Sequence, residues 1–531
     1  MTHTIDRSFG AKGRPRSTFA RRGVDTVLTE LCGWTVALVL ALLVVAHIAE
    51  TRGGLIFSDG DSMATVLIAK SIEHGEPQNW ALSPVLFIPE TIVYGALSIF
   101  GLGVRATLTL NAVVNLLGLY AAFRFVAGGR GKTMPAPVGA LSSFAAFCTF
   151  AFLEGGPDRE GFQLASMLTT TTYYSATIIG VVFTVGIVRR SLLGEPHATL
   201  RVPALSLAVV AAVSVLTNPL YLAWATIPVA VVIGAPAILS RIRRKQILVL
   251  AAALILGSGI GYLGRSFFAT AIVADPAAYI RGSEWTSSLE FYRTLLVQTG
   301  GSVAGSAWLA LLALVWLGAG VLGVRAWLRR EPSSSFLGAM AFVGPIVVTL
   351  GMIAFGTVSD RYLQPWLIFP LLMFSAWPSP AFRVEQKHSR VLKKAVVVGL
   401  TISVLASAFV VPRVLSIATA VDHDLQCVVN WVNTSGRTGA GQFWTARAPK
   451  AYIRDPAHIV QIDAHFDFYA WLTNRSDRHG AEVTFLITGA GSEPYVFPPG
   501  FSVANASTMN CGRYTILDFG TMSLPLGATI Y

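Results

Sequence analysis

Two carboxylates, Asp59 and Asp61, flank a glycine in the stretch Phe57-Ser58-Asp59-Gly60-Asp61-Ser62. A carboxylate so placed can take a proton from an attacking hydroxyl. A pair with a third acid offers hard oxygen ligands for Mg²⁺ or Mn²⁺, and Asp158 and Glu160 are the candidates to complete it, Asp158 first. The same spacing also suits plain capping. Ser62 fits the N-cap of a helix Met63–His74 closed by Gly75, with acids on the positive end of the helix dipole. Further charges follow: Asp158 and Glu160, then Asp275, Arg281, Glu284 and Arg293, then Asp360 and Arg361. Arginine grips phosphate bidentately, so acids with arginines at one level suit an anionic lipid substrate and proton transfer. For Asp275–Arg293 a solvated loop surface is the simpler reading.

The elements that must hold these residues are membrane spans. The chain has 531 residues, 53% of them hydrophobic and only 13% charged. The apolar residues fall in blocks near the length that crosses a bilayer. The net charge of +12 comes in short basic clusters between those blocks, as orientation signals do, which argues against nucleic-acid binding. Residues 1–30, with Arg14, Arg16, Arg21 and Arg22, read as a basic cytoplasmic tail, and no cleavable signal peptide is expected. About eleven spans follow within 31–416, with outer loops at 51–104, 154–172 and 264–302. Pro84–Phe100 reads as an interfacial or re-entrant segment, because counting it as a span inverts the charge bias at Arg124, Arg130 and Lys132. The inner clusters include Arg189-Arg190, Arg241–Lys245, Arg325–Arg330 and Arg383–Lys394. This parity puts Asp59, Asp61, Asp158, Glu160, Asp360 and Arg361 on one outer face. The spans hold almost no ionisable residue in their middles, unlike ion-coupled transporters.

Residues 417–531 change in kind. Short alternating runs such as Val483–Ile487 and Tyr514–Phe519 predict a small extracytoplasmic α/β or α+β domain. Cys427 and Cys511 lie there and suit a disulfide in an oxidising compartment, while Cys32 and Cys148 sit in apolar spans as packing residues. Two polar-aromatic clusters, Gly441-Gln442-Phe443-Trp444 and Asp463-Ala464-His465-Phe466-Asp467, suit carbohydrate or an ordinary core.

In order and arrangement the chain resembles the GT-C superfamily of integral-membrane glycosyltransferases, in particular its dolichyl-phosphate-mannose and aminoarabinose transferase-like members. Three stretches carry the likeness. They are Asp59-Gly60-Asp61 followed by a helix ending Glu73-His74-Gly75, the run from Trp80 through Pro84 and Phe100-Gly101 to Arg105, and Asp360-Arg361-Tyr362-Leu363-Gln364-Pro365 with Pro370 beyond. The first loop carries Asp-Gly-Asp where many members have Asp-Glu. The resemblance implies a polytopic α-helical fold and transfer of a sugar from a polyprenyl-phosphate carrier to an envelope glycan, lipid or protein. It implies Asp59 or Asp61 as general base, Arg361 with Tyr362 on the donor phosphate, and in some relatives a divalent metal. No nucleotide-binding glycine loop is evident, in keeping with a lipid donor. The expected place is a bacterial cytoplasmic membrane, with the N-terminus inside and the C-terminal domain outside. A lipid or polysaccharide transporter and a non-enzymatic scaffold displaying that domain are the competing readings.

Overall fold

The computed structural model describes residues 17–128, 136–156, 161–193, 200–235, 244–274, 280–376 and 389–531. Asp158 and Glu160 lie outside them, as do Asp275, Arg14, Arg16, Arg130, Lys132, Arg241, Arg243 and Arg383.

A bilayer offers the backbone no hydrogen-bond partner, so long apolar runs must become helices. In order these are α1 (Ser17–Thr51), α2 (Ala64–Glu73), α3 (Ile88–Ser98), α4 (Val104–Ala127), α5 (Ala136–Leu153), α6 (Ser175–Leu193) and α7 (Arg201–Thr217). Then come α8 (Ile227–Gly234), α9 (Arg244–Gly264), α10 (Trp285–Gly300), α11 (Val303–Leu328), α12 (Pro332–Ala354), α13 (Gln364–Leu372) and α14 (Ser389–Thr419). Among the described residues eight helices are long and apolar enough to cross a membrane: α4, α5, α6, α9, α11, α12, and the apolar parts of α1 and α14. The protein is a polytopic helical membrane protein.

The other three expected spans are represented by the shorter apolar helices α7, α8 and α13. Proline shortens them. Asn218-Pro219 ends α7, Pro228 opens α8, and Pro365 and Pro370 lie in α13. The Pro84–Phe100 segment contains only α3, eleven residues long and too short to span.

The loop after α1 is built differently from the expectation at one point. Ser62 does not cap α2: its hydroxyl donates back to the Leu55 carbonyl at 3.0 Å. Asp59 instead orders the turn ahead of α2, its Oδ2 accepting the Ser62 N–H at 2.9 Å and its carbonyl the Met63 N–H at 3.2 Å, while Met63 occupies the N-cap without a side-chain bond. A carboxylate reaches forward over the turn more readily than a hydroxyl already engaged behind it. Gly75 closes α2 as expected, at φ +68°. Its N–H meets the Ile72 carbonyl and that of Glu76 meets Ser71, a paired bond pattern that needs the left-handed conformation.

The C-terminal part is a compact α/β domain. Helices α15 (His423–Ser435) and α16 (Phe443–Tyr452) accompany a seven-stranded mixed sheet. Its strands are β2 (Thr438–Gln442), β3 (Ile459–Ile462), β4 (Phe468–Tyr469), β6 (Val483–Gly489), β7 (Ser507–Cys511), β8 (Tyr514–Asp518) and β9 (Thr529–Ile530), in the order β7-β8-β6-β2-β3-β4-β9. Central β2 is parallel to both β3 and β6. Two further strands dock the domain on the first loop: β1 (Trp80–Ala81) pairs antiparallel with β5 (Thr473–Asn474). Around that pair the Asn474 amide donates to the Pro77 carbonyl at 2.8 Å and Arg475 reaches Asn79 and Trp80.

Cys427 on α15 and Cys511 at the end of β7 form a disulfide across 84 residues of sequence. Such a long closed loop is a strong restraint on the unfolded chain. Replacing both cysteines by alanine should lower the stability of this domain by roughly 2–4 kcal/mol, measured by chemical unfolding without reductant.

Candidate active site

Helix ends and loops far apart in the chain converge around Asp61. The turn after α1 supplies the acids, and the segment before α6 supplies Tyr173. The Tyr173 hydroxyl lies 3.3 Å from Asp59 Oδ2 and 3.4 Å from Asp61 Oδ2. Tyr174 has φ +68°, a conformation uncommon for a tyrosine, and the resulting kink lets both tyrosines face one cavity. Gln364 at the start of α13 donates to the Tyr173 carbonyl at 3.0 Å and fixes that segment.

The short turn Asp360–Leu363 between α12 and α13 supplies the cation. Asp360 is buried and accepts the Phe162 N–H at 3.0 Å, which anchors the turn. The Trp224 indole N–H donates to the Tyr362 carbonyl at 3.0 Å and anchors its other end. Arg361 then reaches Asp61, Nη1 to Oδ2 3.4 Å, with 29% of the arginine side chain and 17% of the aspartate side chain exposed. The guanidinium also lies near the rings of Tyr173 and Tyr362. Burial works against its charge, but Tyr174, Tyr362, Asp61 and Tyr173 outweigh that and hold its proton more tightly than usual. Its Nε is buried without a hydrogen-bond partner among the described residues.

The C-terminal domain completes the site with a residue that sequence reasoning missed. Arg447 on α16 is fully buried. Its Nε donates to the carbonyl of Gly60, between the two acids, at 2.6 Å. Its Nη1 donates to Gln461 Oε1 at 3.3 Å and to the Leu472 carbonyl. Burial pushes its pKa down to about 10, against the pull of Asp61, Asp59 and Asp477, so it stays cationic at neutral pH. Tyr452, at the other end of α16, donates its hydroxyl to the Phe57 carbonyl at 3.0 Å. Lys70 on α2 donates to the Ile453 carbonyl at 2.6 Å. Gly60 is needed for this fit: a methyl there would sit 2.9 Å from both Phe443 Cε1 and Trp444 Cε3.

Two cavities meet at these residues. The larger, about 610 Å³, runs between helix ends and is mostly apolar. Leu222, Ala223, Ile227 and Met352 line it on the bundle side, and Tyr469 and Trp471 on the domain side. A π-helical turn, Leu222–Thr226, presents Leu222 and Ala223 to it, a distortion often found at functional sites. The smaller, about 170 Å³, is lined by Asp61, Met167, Tyr173, Ser359, Asp360, Arg361 and Trp444. Asp61, Tyr173, Arg361 and Trp444 border both. Asp59 borders neither.

Of the residues expected to do chemistry, Asp59, Asp61, Arg361 and Tyr362 are therefore brought together, and Asp158 and Glu160 lie outside the described residues. Among the described residues no three His, Cys, Asp or Glu side chains gather as a metal centre. Arg361 already supplies positive charge beside Asp61, where a divalent cation would compete with it. No step is derived through a metal.

No protein-family model matches the chain, and no curated protein matches it. Among solved structures it is similar to the crystal structure of the Archaeoglobus fulgidus oligosaccharyltransferase complex with Zn and sulfate, at 11% sequence identity and a TM-score of 0.45. That match covers 85% of this chain and 68% of the other.

Two substitutions test how the domain holds the acidic loop. Arg447→Met leaves the Gly60 and Leu472 carbonyls without their donor and should cost about 3 kcal/mol or more. Gly60→Ala should cost roughly 1–3 kcal/mol by overpacking. Thermal unfolding of the purified protein reads both, and wild-type melting of either variant contradicts the docking described.

Proposed function

We propose that the protein is a membrane glycosyltransferase that moves a sugar from a polyprenyl-phosphate carrier to a cell-envelope acceptor. The observation that carries this reading is the larger cavity, which is mostly apolar yet lined by one carboxylate, Asp61, and one arginine, Arg361. That polarity suits an isoprenoid chain ending in a phosphate. The sequence resemblance to the GT-C superfamily points the same way.

In this reading the lipid lies along Leu222, Ala223 and Ile227, and its phosphate meets Arg361, whose buried Nε is a ready donor. The acceptor hydroxyl attacks the anomeric carbon from the Asp61 side. Its proton passes to Asp61 as the new carbon–oxygen bond forms. The bond from the anomeric carbon to the phosphate oxygen breaks, and the electron pair leaves on the phosphate, stabilised by Arg361. One displacement inverts the anomeric centre. Tyr362 helps hold the arginine on the phosphate side.

Asp61 is assigned as the base in preference to Asp59. It borders both cavities, whereas Asp59 is occupied with the Ser62 N–H. Asp59 then orders the turn. The site faces the extracytoplasmic side of a bacterial cytoplasmic membrane, where the charge pattern puts the C-terminal domain. Asp158 and Glu160 remain candidates for a second acidic site toward the acceptor.

The test is consumption of a panel of polyprenyl-phosphate sugars by purified protein supplied with envelope extract. Asp61→Asn should lower turnover by about 10²–10⁴-fold in protein that remains folded. Asp59→Asn should lower the melting temperature as well, and Arg361→Ala should raise KM for the donor. EDTA should leave turnover unchanged. No consumption of any donor, or full activity in Asp61→Asn, sinks the proposal.

A further inference from the structure

The larger cavity accounts for the lipid donor and leaves the smaller one unused. It shares Asp61, Tyr173, Arg361 and Trp444 with the larger cavity, and Trp444 brings the C-terminal domain to its wall. In open α/β sheets, ligands bind beyond the carboxyl ends of parallel strands, where the chain switches direction across the sheet. Here that switch lies beside β2, which sits between β6 and β3. The carboxyl end of β2 runs through Gln442 into Phe443 and Trp444, directly over Gly60. The fold thus aims its ligand-binding edge at the acidic loop.

The loop after β6 is locked to that edge. The Gln442 side chain exchanges two hydrogen bonds with the Glu493 backbone, at 2.8 and 2.7 Å. The hydroxyls of Thr445 and Ser492 lie 2.7 Å apart. Trp444 is thereby held in place although 46% of it is exposed. Phe443 packs against it edge to face, with ring centroids 4.5 Å apart. A rigid, half-exposed indole beside a carboxylate suits the C–H face of a sugar ring.

A second observation comes from the opposite wall. Ser359 is only 6% exposed and lines the smaller cavity. Its hydroxyl oxygen is buried with no hydrogen-bond partner among the described residues. A buried hydroxyl without a partner costs free energy that a hydroxyl-rich ligand would recover. The cavity has room for a single sugar ring, not for a lipid chain.

We propose that the acceptor is a carbohydrate, and that Trp444 and Ser359 hold its terminal sugar in the smaller cavity with the reacting hydroxyl toward Asp61. This rests on the transferase reading above and narrows it, choosing glycan over lipid or protein as acceptor. Trp444 and Ser359 then set acceptor specificity.

The test is binding to the full-length protein in nanodiscs by saturation-transfer difference NMR. The probes are di- and trisaccharides of mannan, galactan and arabinan, short Ser/Thr peptides, and undecaprenyl phosphate. At least one oligosaccharide should bind wild type. Its affinity should fall about tenfold or more in Trp444→Ala and by a few-fold in Trp444→Phe and Ser359→Ala, as lost stacking and one lost hydrogen bond predict. Ala223→Trp fills the larger cavity instead. It should abolish undecaprenyl phosphate binding and leave the oligosaccharide bound. Peptide binding alone, no oligosaccharide binding, or oligosaccharide binding indifferent to both Trp444→Ala and Ser359→Ala overturns the inference. Failure of undecaprenyl phosphate to bind wild type while the oligosaccharide binds through Trp444 removes the donor reading and supports the acceptor site.

Discussion

A single buried guanidinium couples the two halves of this molecule. Arg447 is enclosed by the C-terminal domain, yet its Nε holds the carbonyl of Gly60 in the loop after the first span. Removing a charge from water costs several kcal/mol even after relaxation. That cost is tolerable only because three acceptors and the nearby Asp59 and Asp61 surround it. The loop bearing the acids has little structure of its own, so its geometry is imposed from outside. Thr171 holds the Ser62 carbonyl from one side and α16 holds Gly60 and Phe57 from the other. The C-terminal domain is therefore a wall of the site and not an appendage to it.

This dependence explains what was legible in the sequence. Helices followed from apolar block length, which is local information. The strands Val483–Gly489 and Tyr514–Asp518 followed from alternation, and the disulfide from two cysteines sharing one domain. The acids and Arg361 stood out because charge is rare in a chain like this. Arg447 gave no such signal. Its partner is 387 residues away, and in sequence it is one more basic residue on a short helix. Nothing local showed that Trp444 borders the cavity that holds Asp61, since the two meet only through the docking of β1 on β5 and of α16 on the loop.

The two aspartates show where spacing misleads. Two residues apart on either side of a glycine, they look equivalent. The turn makes them different, because only one carboxylate can reach forward to the Ser62 N–H without leaving the loop. Ser62 was the natural capping residue by type, but its hydroxyl is taken by the Leu55 carbonyl. With Asp59 engaged in the turn, Asp61 is the acid turned toward Arg361 and both cavities. A division between a carboxylate that orders the turn and one that faces the cavities thus arises from one backbone turn.

The placement of Arg361 follows the same logic from the other side. An arginine beside a membrane cavity would relax toward water unless its backbone were pinned. Asp360 pins the turn before it through the Phe162 N–H, and Trp224 pins the turn after it through the Tyr362 carbonyl. Trp224 lies in the π-helical turn whose neighbours line the larger cavity. The π-helical turn that lines the cavity thus also carries the indole that pins the turn bearing the cation. A straight α-helical turn at Leu222–Thr226 would rotate Trp224 away from Tyr362 and the cavity-lining residues with it. The cavity wall and the position of the charge thus share one backbone turn, which follows the break at Asn218-Pro219.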